Sequence, residues 1–110
     1  MKNMSKRILK YEDFLDDALV GNPSLATEYL NEAIKMVQEG DSIDIFLLAL
    51  RDVARANGIT KIANKTKKSR TSLYKSLAEK ADPKFSTIMD ILDSLNIYLG
   101  FHSKKNRKAA

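Results

Sequence analysis

Apolar side chains recur along most of this chain at intervals of three and four residues, which places them on one face of an α-helix. Read together with residues that commonly begin and end helices, this pattern predicts an all-α protein. The predicted helical segments are 13–20, Pro23 to about Gly40, Asp41 or Ser42 to Asn57, two short segments capped by Thr60 and Ser69, and one capped by Ser86. The third is the most apolar, so we expect it at the centre of the fold. Met36 and Met89 fall at apolar positions and are expected in the core.

The spacing changes after Asn96, where apolar residues alternate with others in the sequence IYLGFH. A two-residue period is typical of a β-strand, and a single strand leaves its backbone N–H and C=O groups without partners. We therefore expect residues 97–102 to pair with the same segment of a second copy, across a two-fold axis. Ile97, Leu99 and Phe101 would form this dimer interface and pack against the last helix.

The composition is typical of a soluble globular protein. The chain has 110 residues, of which 44% are hydrophobic and 30% charged, and this length fits one domain better than two. It contains no cysteine, which fits a reducing compartment. No run approaches the roughly 18 apolar residues of a membrane span, and the N-terminal residues do not resemble a signal peptide. We expect a cytoplasmic protein with no membrane partner.

Charge is distributed unevenly along the chain, although its total is only +5. Residues 11–58 contain ten Asp or Glu and three Lys or Arg, whereas residues 59–84 contain eight Lys or Arg and two acids. A patch of one sign attracts partners of the opposite sign, so the second segment favours a polyanion such as nucleic acid. The predicted single domain, 1–110, comprises a basic arm (1–10), an acidic helical half (11–58), the short helices with the last helix (59–96), the strand-like segment (97–102) and a basic tail (103–110).

The two short helices are separated by only a few residues, which is the layout of a helix-turn-helix. Ala63 is small enough for the second helix to cross the first closely. Leu73 and Leu77 lie one turn apart and would anchor the second helix inward.

The second short helix is the predicted recognition helix, and its outward face is rich in hydrogen-bond donors. At 100° per residue, Thr71 and Lys75 lie almost opposite the inward Leu73, with Tyr74 on one flank. Arg70 lies near the helix start, where such helices usually contact bases. We expect Arg70 and Thr71 at base edges, Tyr74 and Lys75 between bases and phosphates, and the others at the backbone. The predicted DNA-binding residues are Thr60, Lys61, Lys68, Ser69, Arg70, Thr71, Ser72, Tyr74, Lys75 and Lys84.

No arrangement of residues predicts catalysis, a metal site or a cofactor. His102 is the single histidine, and a lone histidine is far more often a surface residue than a ligand or catalyst. No glycine-rich nucleotide-binding motif is present. We therefore expect a binding protein rather than an enzyme.

Three motifs in this order resemble a known family: TKIA at 60–63, SRTSLYKSL at 69–77 and PKFSTIMDIL at 83–92. Together with the segments that precede them, they make residues 11–101 similar to the HigA-like addiction-module antidote proteins of the Xre class. Family members usually have Gly and an aliphatic residue in the turn, where this chain has Lys67 and Lys68. Lys67 would need a conformation that Gly adopts more easily, and the stem of Lys68 would cover the core.

The resemblance implies a five-helix Xre/lambda-repressor-like domain and a type II antitoxin. Such a protein neutralises a small basic RelE/ParE-like toxin from the adjacent gene by direct binding, and represses its own operon by binding double-stranded operator DNA. The acidic half would suit a basic toxin surface, with Asp13, Asp16 and Asp17 as candidate toxin-binding residues, and it could equally be a plain solubilising face. The strand-like segment could instead be added to a toxin's sheet.

Two other functions remain open from the sequence. The chain could be a stand-alone prophage-type repressor without a toxin partner. It could also be a protein-interaction module that has lost DNA binding, because of the departures at Lys67 and Lys68.

Overall fold

A computed structural model of the chain describes residues 18–104. Within them lie five helices and no strand, which confirms the all-α fold class. The helices are α1 (Pro23–Gln38), α2 (Asp44–Asn57), α3 (Ile59–Thr66), α4 (Arg70–Ser76) and α5 (Phe85–Ser94). The predicted segment 13–20 falls largely outside the described residues, but Ala18 and Leu19 are helical and Leu19 is buried.

Local signals start and stop several helices where the sequence predicts. The Oδ1 atom of Asn22 accepts a hydrogen bond from the backbone N–H of Leu25 at 3.1 Å, and Pro23 is the first residue of α1. Pro suits that position because its missing N–H would have no partner within the helix. Gly58 ends α2 directly after Asn57, as the Asn-Gly pair indicates.

Two predicted caps are wrong. α3 begins at Ile59, which places Thr60 inside its first turn, and α5 begins at Phe85, which places Ser86 inside. Gly58 has a φ of 96° and is both the C-cap of α2 and the N-cap of α3, so the chain reverses there and starts the next helix at once. Neither of these two helices has a side-chain hydrogen bond at its N-cap.

α2 is the most buried helix, as its apolar run predicts. Seven of its 14 residues are buried, and Leu50 and Val53 have no exposed surface. α2 packs against α1 and α3, and α3 packs in turn against α4 and α5. Leu73 of α4 and Ile91 of α5 are also fully buried, so both helices are anchored in the same core.

Met36 and Met89 do not lie in the core as predicted, because each is 41% exposed. The stripe of α1 that faces the core runs through Leu30, Ala33 and Val37, and Met36 lies one residue, or 100°, away from it. Met89 is displaced in the same way from Ile88 on α5.

A buried carboxylate joins α1 to α2. Asp52 is only 5% exposed, and its Oδ2 atom accepts a hydrogen bond from the Tyr29 hydroxyl at 2.7 Å. Its Oδ1 atom lies 3.2 Å from a guanidinium nitrogen of Arg55, one turn further along α2. A buried charge needs such partners, so this pair and hydrogen bond constrain how α1 crosses α2.

The strand predicted at 97–102 does not form within the single chain. A strand requires a neighbour to pair with, and residues 18–104 supply none. Ile97 packs against the core, and its N–H donates to the Leu92 carbonyl at 3.0 Å. Leu99 is 42% exposed and Phe101 91% exposed, so within one chain only Ile97 shows the predicted packing.

Candidate nucleic-acid interface

The turn between α3 and α4 is closed by backbone hydrogen bonds to one carbonyl. The Ala63 oxygen accepts from the N–H groups of Lys67 and Lys68, the second at 3.1 Å. Lys67 has φ 59° and ψ 32°, the left-handed conformation that Gly adopts at lower cost. The sequence prediction for Lys67 is confirmed, and the helix-turn-helix layout is kept without a glycine.

Lys68 follows this turn and has a different role from the other candidate cations. Its side chain is 29% exposed, so most of the stem is covered, and its Nζ atom lies 4.0 Å from a carboxylate oxygen of Asp90 on α5. A Lys stem can cover apolar surface while its ammonium group reaches water. Lys68 therefore closes the turn where an aliphatic residue is expected, and its charge faces a carboxylate.

Ser69 begins α4, as predicted. Its Oγ atom accepts a hydrogen bond from the Ser72 N–H at 3.0 Å, which fixes the first turn of the helix. Leu73 and Leu77 are buried, and the small Ala63 is 7% exposed where α3 and α4 pack together. Both ends of α4 are thereby held with one face toward solvent.

Most of the predicted DNA-binding residues are exposed. The exposed candidates are Thr60, Lys61, Ser69, Arg70, Thr71, Ser72, Lys75 and Lys84. Within residues 18–104, no ion pair is formed by Lys61, Arg70, Lys75 or Lys84. The exposed residues of α3 and α4 thus offer hydroxyl groups and positive charges without acidic partners, which are the groups that contact phosphates and base edges.

Tyr74 differs from the other candidates because it is half-buried and packs against the core. The guanidinium group of Arg51, on α2, lies 5.8 Å from the centre of its ring, within the range of a cation–π contact. Arg51 is not among the DNA-binding residues predicted from the sequence. The residue lies in the acidic half of the chain, and no local pattern indicates that α2 reaches α4 at this point.

The remaining candidates are not assembled into a site by the described residues. Asp13, Asp16 and Asp17 lie outside them. The dimer candidates Leu99 and Phe101 are exposed, as are two apolar residues on the outer face of α5, Phe85 at 62% and Met89 at 41%.

Residues 18–104 show no cluster that resembles a metal site, since no three His, Cys, Asp or Glu lie close enough to hold an ion. The same part of the chain has no helix long and apolar enough to cross a membrane.

A family model described as a probable addiction module antidote protein matches residues 10–103. The chain belongs to this antidote family. The match includes all five helices and the whole exposed face of α4. It confirms the antidote part of the resemblance seen in the sequence.

One relative of this chain is an uncharacterized protein of Haemophilus influenzae. The two are 42% identical over 69 residues, which is 63% of this chain and 67% of the relative. No solved structure gave a significant match.

The left-handed residue in the turn between α3 and α4 leads to a prediction about the free energy of unfolding. Lys67→Gly removes the strain of a left-handed lysine, so we expect the free energy of unfolding to rise by about 1 kcal/mol. Urea denaturation, followed by circular dichroism, measures this free energy of unfolding. The matched control is Lys65→Gly, in the last turn of α3, which should lower the free energy of unfolding by about 0.5–1 kcal/mol. Equal losses in both variants would show that residue 67 is not held in the left-handed conformation.

Proposed function

We propose that this antidote-family protein is an antitoxin that also represses its own operon through α3 and α4. The supporting observation is the exposed, unneutralised basic face of α4, on a helix whose start is fixed by the Ser69 cap and the closed turn before it. The HigA-like, Xre-type assignment rests on the three sequence motifs. Acting on operator DNA requires the protein to work in the cytoplasm.

In this proposal α4 enters the major groove with its N-terminal end toward the bases. Arg70 and Thr71 contact base edges, because they lie in the first turn and are exposed. Lys75 lies one turn further along and contacts a phosphate, while Thr60, Lys61 and Lys84 hold the backbone on either side.

Substitution of the two α4 cations should separate base contacts from phosphate contacts. Arg70→Ala should weaken operator binding by about 1–3 kcal/mol and relax the preference at one base pair. Lys75→Ala should weaken binding to all sequences alike and reduce the salt dependence by about one phosphate. Titrations of operator and scrambled duplexes at several salt concentrations measure both effects. Unchanged operator affinity in both variants would refute DNA binding through α4.

The toxin contact is proposed to use the acidic half of the chain. Among the described residues, Glu28 and Glu32 lie one turn apart on α1 and are exposed, and Glu39 and Asp41 follow in the exposed connection to α2. A toxin that acts on nucleic acid needs a basic surface, and an acidic partner would speed association with it and cover it. Asp13, Asp16 and Asp17 extend the same negative charge in the sequence.

Charge reversal should identify the toxin-binding half. Glu28→Lys with Glu32→Lys, and separately Asp13, Asp16 and Asp17 each to Lys, should slow association with the small basic protein encoded next to this gene. The control for the glutamate pair, Glu79→Lys with Asp93→Lys, makes the same net change on exposed residues of the basic half and should leave the rate unchanged. Stopped-flow measurements of the association rate compare these variants with the wild-type chain. If the adjacent gene product does not co-purify with the wild-type chain, a stand-alone repressor becomes the better assignment.

The protein is proposed to bind DNA as a two-fold dimer that pairs residues 97–102 of two chains. One recognition helix covers few base pairs, and paired half-sites lie about 34–36 Å apart along the duplex. Leu99 and Phe101 are exposed in the single chain, and pairing would cover them and satisfy their backbone groups.

Leu99→Ser with Phe101→Ser should therefore make the protein monomeric and weaken operator binding, while leaving Ile97 and the core intact. Tyr98 is fully exposed and lies between them in sequence, so Tyr98→Ser is the matched control and should stay dimeric. Analytical ultracentrifugation gives the mass and the operator titration gives the affinity. A double variant that remains dimeric at full affinity would place the interface elsewhere.

A further inference from the structure

Arg51 contacts the recognition helix from a different part of the fold. It lies on α2, and its guanidinium group is 5.8 Å from the centre of the Tyr74 ring on α4. A guanidinium group at this distance from an aromatic face is attracted by the ring's negative charge density. The contact keeps a positive charge beside α4 that belongs to no residue of the helix-turn-helix itself.

The positive charge of Arg51 has no negative partner within residues 18–104. No carboxylate oxygen of these residues lies within 4.0 Å of its guanidinium nitrogens, and its buried Nε atom has no hydrogen-bond partner there. The next residue, Asp52, is directed instead toward Tyr29 and Arg55. Of its nitrogens only Nε is buried without a partner, so the terminal N–H groups are available to an anion from solution.

A second cation lies on the same flank of α4. Arg70 and Tyr74 are separated by four residues, so they are neighbours on the helix surface, and Arg51 lies over Tyr74. Arg70 is exposed and forms no ion pair within the described residues. Two guanidinium groups therefore lie on the Tyr74 side of α4, and both attract an anion.

We propose that Arg51 is a DNA-contacting residue that binds a backbone phosphate at the Tyr74 flank of α4. This inference rests on the proposed binding of DNA by α4. A guanidinium group suits the role because it can stack on a ring with its plane and still offer its terminal N–H groups to a phosphate. Tyr74 thus serves as the support for Arg51, which explains why this residue of the outward helix is half-buried.

The test compares variants that remove the charge with variants that remove its support. Arg51→Met removes the charge and keeps a long side chain. Tyr74→Leu removes the ring, and Tyr74→Phe keeps it. Lys35→Met, which removes an exposed charge from the last turn of α1, is the matched control. Each full-length variant is titrated with operator and scrambled duplexes over a salt series, after thermal melting has shown that it is folded.

Arg51→Met should weaken binding about 5–10-fold for both duplexes and reduce the slope of log K against log salt by about 0.9, the value for one phosphate. Tyr74→Leu should give a similar loss, and adding Arg51→Met to it should cause little further change. Lys35→Met should keep the wild-type slope, and Tyr74→Phe, which keeps the ring, should lose less affinity than Tyr74→Leu. If Arg51→Met does not fold, Arg51→Lys replaces it and should keep the slope while binding more weakly than wild type.

Two results would overturn the proposal. One is an Arg51→Met protein with wild-type affinity and slope. The other is a changed base preference with an unchanged slope, which would make Arg51 a support of the helix and not a phosphate contact. Arg70→Ala and Lys75→Ala, measured in parallel, distinguish failure of the Arg51 contact from failure of DNA binding by α4. If neither variant affects operator binding, DNA binding by α4 is refuted.

Discussion

The Ala63 carbonyl accepts hydrogen bonds from two successive backbone N–H groups, and the orientation of α4 depends on that closure. Because the chain turns within residues 67–69, Ser69 is placed to cap α4 at once, and Leu73 then enters the core. The donors on the other side of α4 face solvent as a consequence. A short helix has little stability of its own, so its direction is set by this turn and by its two buried leucines.

α2 connects the two electrostatically different parts of the molecule. Two adjacent residues at its centre point to different neighbours: Asp52 toward Tyr29 on α1, and Arg51 toward Tyr74 on α4. Successive residues of a helix differ by 100° in direction, so one helix can present opposite charges to two sides without their cancelling. The Asp52 carboxylate is buried and has its partners within the fold, whereas the Arg51 guanidinium group is half-buried beside α4.

Local signals in the sequence were sufficient for much of the fold. Asn22 with Pro23, the Asn57–Gly58 pair and Ser69 each act within four residues, and the structure confirms them. The left-handed conformation of Lys67 was expected from the resemblance, because family members usually have Gly in this turn. The Thr60 cap was wrong because Gly58 already occupies the N-cap position of this helix, two residues before Thr60.

The contacts that the sequence could not reveal join residues far apart in the chain. Tyr29 to Asp52 and Arg51 to Tyr74 each span 23 positions, and no periodicity indicates which faces of two helices will meet. The pairing predicted for residues 97–102 concerns a second chain, so it stays a prediction. Composition and spacing indicated a basic segment, whereas only the tertiary structure showed that Arg51 lies beside Tyr74 and Lys68 beside Asp90.

Gly58 belongs to two helices at once, and this limits how the length of the protein can vary. Because the same residue ends α2 and begins α3, an inserted or deleted residue there would rotate α3 about its axis by 100° relative to α2. Ile62 and Ala63 would leave the core, and α4 would turn with them. The connection between α1 and α2 is different, since residues 39–43 are exposed and can absorb a change in length. Natural insertions and fusion points should therefore be found between the first two helices and be absent from the junction of the second and third.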